Sequence, residues 1–107
     1  MVRQGDIILI EFASAKGNEE QEKKQALVVS NDEYHKHSNI VWVCPIACAM
    51  NYPLHIDLPE GLQTSGKVLC EHLQTIDIAT RGYERLETVP EVFLCKVLKY
   101  LNMIIER

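Results

Sequence analysis

The sequence predicts a mainly β protein in which a small, curled or barrel-like sheet is capped by one C-terminal helix. Short segments rich in apolar and β-branched residues recur along most of the chain, as is typical of strands. From residue 93 onward apolar residues are instead spaced three and four apart, as is typical of a helix with one buried face. At 107 residues, 47% of them hydrophobic, the chain can bury one core, and no linker or repeat divides it. Residues 1–107 are therefore expected to form a single domain.

Six segments carry the strand pattern. They span residues 6–12, 25–30, 39–46, 54–58, 67–72 and 75–78. The unbroken apolar centre of the second segment indicates burial on both faces, whereas the clean alternation of the fourth indicates a half-exposed strand. Pro45 lacks an N–H donor, so the third strand is expected to be irregular at its end or to lie at a sheet edge there.

Polar segments connect the predicted strands. Residues 13–24 are polar and contain Gly17, which predicts a loop longer than an ordinary hairpin connection. Long loops on rigid scaffolds often carry function. Asn31 offers a helix cap, so residues 33–37 are expected to form a short helical turn.

The C-terminal segment has the clearest local signals. Thr88, Pro90 and Glu91 fit a capping box with proline in the first turn, which predicts where the helix begins. A wide apolar stripe follows and is expected to pack on the core. Its members are Phe93, Leu94, Val97, Leu98, Leu101, Ile104 and Ile105.

Charge and hydropathy exclude several classes of protein. The net charge of −4 argues against broad, nonspecific attraction to phosphate, although a local basic groove is compatible with it. No apolar run approaches the roughly 18 residues of a membrane span. The apolar run near the N-terminus is too short for a signal peptide and is interrupted by acidic residues. A cytoplasmic location is therefore expected.

The cysteines and histidines give little support to a metal or redox protein, which is the weakest of three functional hypotheses. The four cysteines are most simply buried thiols of a cytosolic protein; they are Cys44, Cys48, Cys70 and Cys95. The first two are four residues apart, but no second close pair completes a structural zinc tetrad, so no metal is expected. His35 and His37 lie in a polar stretch and are expected to be solvated.

Six motifs follow one another along almost the whole chain. They are QGDII at 4–8, KGNE at 16–19, QALVVSND at 25–32, VCPI at 43–46, CEHLQTID at 70–77 and RGYERL at 81–86. In this order they resemble the motifs of the MazF/PemK/Kid toxins of type II toxin–antitoxin systems, and the PemK/Kid branch most closely. The resemblance implies an SH3-like barrel of the MazF/PemK/CcdB type with a C-terminal helix, and a homodimer as the working unit.

The same resemblance implies an activity and a partner. Members of this family are sequence-specific endoribonucleases that cleave single-stranded RNA, including mRNA, without a metal or other cofactor. A cognate antitoxin of the MazE/PemI type restrains them, usually by laying a disordered segment over the RNA groove.

Cleavage of RNA without a metal needs a base for the 2′-hydroxyl, an acid for the leaving 5′-oxygen and groups that stabilise the charged phosphorane. The family places an arginine before the second strand, and that position is Lys24 here. The resemblance therefore implies that Lys24 stabilises the phosphate and that Glu71, at the acid position of the family, or His72 handles protons. Histidine can titrate near neutral pH.

Several positions depart from the family pattern. The family threonine after the third strand is Ala47, with Cys48 next to it as a further catalytic candidate, and a branch-specific arginine is Leu69. Lysine keeps the charge of arginine but loses the planar, bidentate contact with phosphate. The expected RNA contacts are Asn18, Glu19, Lys23 and Gln74.

Each of these residues also has a purely structural interpretation. Lys24 could be a solvated lysine, Cys48 an inert buried thiol and His72 a satisfied surface histidine. The departures motivate a second hypothesis, in which the chain is a weakened or inactive toxin-fold protein that acts by binding RNA, an antitoxin or a gyrase-like protein.

Overall fold

The computed structural model describes residues 1–12 and 22–107. In this part of the chain seven strands form one antiparallel sheet. The strands are β1 (Asp6–Phe12), β2 (Glu22–Val28), β3 (Ile40–Ala47), β4 (His55–Asp57), β5 (Lys67–Leu69), β6 (Gln74–Asp77) and β7 (Glu84–Thr88). The helices are α1 (Asp32–His35), α2 (Ile78–Arg81) and α3 (Glu91–Ile105), and a 3₁₀ turn spans Cys70–His72.

Strand β3 lies at the centre of the sheet and pairs with three other strands. The sheet order is β4-β5-β3-β2-β1-β7, and β6 also pairs with β3. One edge of β3 follows β2, with Pro45 opposite Ala26. Along its other edge β3 pairs first with β6, ending at Val43, and then with β5, starting at Ile46. The prediction of a sheet edge at Pro45 is therefore wrong, because proline is tolerated here where β3 changes partner.

Both faces of the curled sheet are buried. On one face α3 packs over strand residues that include Ile7, Leu27 and Cys44. On the other face a second cluster encloses Ile8 and Val28 with their neighbours. The prediction that the second strand is buried on both faces is confirmed.

The side chain of Asp6 joins the start of β1 to the end of β7. It is only 1% exposed. Its Oδ1 accepts hydrogen bonds from Thr88 Oγ1 at 2.8 Å and Arg85 Nε at 3.2 Å, and its Oδ2 accepts one from the Arg3 N–H at 2.9 Å. A buried carboxylate needs such partners to offset its desolvation.

This arrangement overturns the predicted capping box. Thr88 belongs to β7, and its hydroxyl donates to Asp6 instead of capping α3. The residue before α3 is Pro90, which makes no side-chain cap. The helix begins at Glu91, so Pro90 precedes it and does not lie in its first turn as predicted. Strand β7 extends to Thr88 and moves the start of the helix to a later residue.

Several other predicted boundaries change for reasons of strand pairing. Residues 22–24 were assigned to a loop but belong to β2, where Lys24 pairs with Ile10. The predicted strand at 67–72 ends at Leu69 and becomes a 3₁₀ turn. The helix α2 and the strand β7 were not predicted. Four of the five residues of β7 are exposed, so its sequence lacks the apolar alternation of a half-buried strand.

The apolar stripe of α3 is buried only in part. Phe93, Val97 and Leu101 are buried, as predicted. Ile104 and Ile105 are exposed in the single chain, so their predicted packing on its core is wrong. No helix in the described ranges is long and apolar enough to span a membrane.

We expect Asp6→Ala to lower the free energy of unfolding by about 3 kcal/mol, because the Thr88 hydroxyl and the Arg3 N–H would lose a buried acceptor. Chemical denaturation at a fixed protein concentration measures this. The matched control is Asp57→Ala, which removes an exposed carboxylate paired with Lys67 and should cost less than about 1 kcal/mol. Equal losses in the two variants would contradict a central role for Asp6.

Candidate functional site

A groove of about 500 Å³ lies where β2, β3 and the segment after β5 meet, and we call it the β2–β3 groove. Strand pairing brings its walls together, since β2 and β5 flank β3 at the same end of that strand. The residues that line it are Leu9, Lys23, Lys24, Gln25, Pro45, Ile46, Ala47, Leu69, His72 and Gln74. The groove thus collects six positions singled out in the sequence as candidates or departures.

Two exposed lysines give one wall of the groove its charge. Lys23 and Lys24 are consecutive in β2 and pair with Glu11 and Ile10 of β1. Both line the groove although the chain as a whole carries a net charge of −4. The positive charges of these two lysines favour a phosphate-bearing ligand at this wall.

The 3₁₀ turn after β5 presents Glu71 and His72 to the opposite side. Cys70 is buried in the core, which orients the next two side chains outward. Glu71 Oε1 lies 2.7 Å from His55 Nε2 and 3.8 Å from His72 Nε2. Glu71 is not itself a groove-lining residue but lies directly beside one, so an acid and two imidazoles are clustered at this edge of the groove.

His55 was missed by sequence reasoning. It lies in β4, and its ring is fixed from both sides, with Nδ1 at 3.1 Å from the Met50 carbonyl oxygen and Nε2 on Glu71. The register of β4 on β5 places His55 opposite Leu69, two residues before Glu71. The alternation at 54–58 predicted a strand but could not indicate which strand it pairs with.

Two of the positions that depart from the family pattern carry apolar side chains in the groove. Ala47 ends β3 and Leu69 ends β5, and both line the groove. Gly66 approaches the backbone of Ala47 so closely that an added Cβ would lie 3.1 Å from the Ala47 carbonyl oxygen. The groove therefore contains neither a hydroxyl at 47 nor a guanidinium at 69.

Cys48 lies outside the β2–β3 groove. It is exposed and lines a different depression with Asp57, Gly66 and Lys67. The expectation of a buried thiol is therefore wrong for Cys48, and also for Cys95, which is exposed on α3.

The other two cysteines are buried, as expected. Burial raises the pKa of the Cys44 thiol to about 12 and that of the Cys70 thiol to about 11. At neutral pH both are protonated, and a thiol without its thiolate form is a poor nucleophile or metal ligand.

The remaining predicted residues are placed as follows. Gln74 begins β6, is exposed and lines the groove. Asn18 and Glu19 lie outside the described residues. His37 is exposed as expected, but His35 is buried and its Nε2 lies 2.6 Å from Ser30 Oγ. The α1 turn, capped by Asn31, directs His35 inward, so its predicted solvation is wrong.

Comparisons with known proteins give one consistent result. A family model described as PemK-like, MazF-like toxin of type II toxin-antitoxin system matches residues 3–105. Endoribonuclease PemK of Escherichia coli is 29% identical over an alignment 109 residues long, gaps included. The alignment covers 97% of this chain and 82% of that protein.

Solved MazF structures are also similar to this chain over nearly its whole length. MazF in a MazE–MazF crystal (Form-II) from Deinococcus radiodurans superposes with a TM-score of 0.87 at 28% identity, over 97% of this chain and 95% of that chain. MazF (Form-I) from the same organism has a TM-score of 0.84 at 28% identity, over 99% and 97% of the two chains. The predicted fold class is confirmed by this agreement.

Proposed function

This chain belongs to the PemK-like, MazF-like toxins of type II toxin–antitoxin systems, and from that premise we propose that it is an endoribonuclease that cuts single-stranded RNA in the β2–β3 groove. The observation that carries the location is the meeting of Lys23 and Lys24 with the Glu71–His72 edge across one groove. Residues 1–107 act as one toxin domain in the cytoplasm, with a MazE/PemI-like antitoxin as its partner. The curated relative named as an endoribonuclease favours cleavage over the non-cleaving alternative.

The reaction is a transfer within the RNA backbone. A base removes the proton from a 2′-hydroxyl, the 2′-oxygen attacks phosphorus, and the bond to the 5′-oxygen breaks as an acid protonates that oxygen. Glu71 and His72, with their nearest polar atoms 3.8 Å apart, are the proton-transferring groups. Lys24 stabilises the negative charge on the phosphorane, while Lys23 and Gln74 hold the neighbouring backbone.

The proposed reaction is expected to be slow, because the groove lacks donors that the family pattern implies. A preorganised donor to a developing oxyanion is typically worth roughly 10²–10³ in rate. Ala47 and Leu69 supply no such donor. Lys24 offers a point charge, whereas arginine would offer a bidentate contact. A slow enzyme that needs no metal follows from this set. Cys48, in a separate depression, takes no part in the proposed chemistry.

An apolar face formed by α3 and β3 supports a homodimer. Trp42 is 40% exposed, Ile105 is 66% exposed, and both line a depression of about 510 Å³ with Leu98 and Leu101. Exposed apolar patches rimmed by polar groups mark protein interfaces. A chain of this size also gains stability from burying more apolar surface.

We expect the protein to cut a long mixed-sequence RNA at discrete sites in chelating buffer, with Lys24→Ala at least about 100-fold slower because the phosphorane loses its cation. Mapping the fragment ends by primer extension measures both the rate and the sequence preference. The matched control is Lys36→Ala, an exposed lysine on the surface next to α1 that pairs with Glu33 and should leave the rate unchanged.

Each variant is purified identically, so a contaminating nuclease would cut equally in all of them. Intact RNA after hours with folded wild type would contradict the proposal. So would equal rates for wild type and Lys24→Ala.

We expect light scattering coupled to size exclusion to give twice the 12.2 kDa chain mass at micromolar concentration. Ile105→Asp should shift the mass toward one chain, because it places a charge in the apolar face. Val92→Asp, which changes an 84% exposed residue in the first turn of α3, is the control and should remain dimeric. A wild-type mass of one chain would refute the dimer.

A further inference from the structure

We propose that His55, Glu71 and His72 form a binding site for a divalent transition-metal ion, with Zn²⁺ the best match. One donor atom from each side chain lies within 4.8 Å of the other two. Cysteine spacing predicted no metal site, but this donor set contains no cysteine. It is assembled by the pairing of β4 with β5, which places His55 two residues away from Glu71 in register.

The distances suit a tetrahedral ion. With bonds of about 2.0–2.1 Å, two ligand atoms of tetrahedral zinc are about 3.3 Å apart. The Glu71 oxygen lies 2.7 Å from His55 Nε2 and 3.8 Å from His72 Nε2, on either side of that value.

His55 is already oriented as metal-binding histidines usually are. Its Nδ1–H donates to the Met50 carbonyl oxygen at 3.1 Å, which leaves Nε2, facing Glu71 at 2.7 Å, as the atom that would bind an ion once the proton it shares with Glu71 is displaced. The ring lies against that of Tyr52 with centroids 5.1 Å apart, and the side chain is only 12% exposed. A ligand fixed in this way loses little freedom when it binds an ion.

The site is open on one side. The Glu71 and His72 side chains are 32% and 55% exposed, and His72 lines the β2–β3 groove. Three protein ligands with a solvent-facing fourth position are typical of accessible zinc sites. Two imidazoles and one carboxylate favour zinc and its neighbours over Mg²⁺ or Ca²⁺, which prefer oxygen ligands.

The consequence for activity rests on the proposed function. A bound ion would occupy the electron pairs of Glu71 and His72 that the cleavage reaction uses for proton transfer. Metal would therefore inhibit this toxin, and the metal-free protein would be the active form. This assigns a role to the histidine at 72.

The test uses the full chain without a purification tag, stripped with chelator and then dialysed. The background variant is Cys48→Ser/Cys95→Ser, which removes both exposed thiols as competing ligands. Competition with a chromophoric zinc chelator should show one Zn²⁺ per chain. His55→Gln and Glu71→Gln should each weaken binding at least about 10-fold, while His37→Gln, at an exposed histidine beside Glu33, should bind as the background does.

A background variant that binds Zn²⁺ no more tightly than His55→Gln would overturn the site. RNA cleavage is then compared in chelator and with one equivalent of Zn²⁺, where inhibition at least about 10-fold is expected. Zinc binding without any effect on active enzyme would overturn the inhibitory role.

The two proposals fail separately. Zinc binding by a protein that cuts no RNA in chelator would leave the site standing and overturn the proposed function. RNA cleavage by a protein that binds no zinc would do the reverse.

Discussion

The pairing of β3 with three strands is the constraint on which the rest of this structure depends. One edge of β3 holds β2, and the other edge changes from β6 to β5 between Val43 and Ile46. Because of that change, the 3₁₀ turn between β5 and β6 lies across β3 from the lysines of β2. The groove, its cations and its acid–imidazole edge all follow from this one topological feature. Proline at 45 fits the point where β3 changes partner, since it has no N–H to donate.

The charge distribution separates two needs of a nuclease that is toxic to its own cell. A net charge of −4 limits indiscriminate binding to nucleic acid, whereas Lys23 and Lys24 concentrate positive charge at one wall. The groove has fewer transition-state donors than the family pattern implies, because Ala47 and Leu69 are apolar. We therefore infer a restrained catalyst that relies on positioning and on the charge of Lys24. A metal ion at His55, Glu71 and His72 would add a second level of restraint at the same edge.

Local sequence patterns predicted what local physics determines. The boundaries of β1 and the buried face of α3 follow from residue type and spacing. The predictions that failed concern which strands and side chains pair with one another. Four of the five β7 residues are exposed, so the strand is held by β1 and carries no alternation to detect. Thr88 is a residue type typical of helix caps, but its hydroxyl donates a hydrogen bond to the buried carboxylate of Asp6, 82 residues away in the sequence.

The candidate site also contains residues that the sequence predicted and one that it did not. The ordered motifs identified Lys24, Glu71, His72 and Gln74, and the structure brings Lys24, His72 and Gln74 to one groove with Glu71 at its edge. Nothing in the sequence indicated His55, because its role depends on the register of β4 on β5. Cys48 is adjacent in sequence to the groove residue Ala47 but lines another depression, since the chain leaves the sheet after β3.

NMR titration can show whether RNA binds in the β2–β3 groove. A single-stranded RNA with 2′-O-methyl groups lacks the attacking hydroxyl, so it can be titrated into isotope-labelled protein without being cut. If RNA binds there, saturable amide shifts are expected at residues 23–25, 46–47 and 69–74. Shifts concentrated on the α3 face instead, or none that saturate, would contradict binding in this groove.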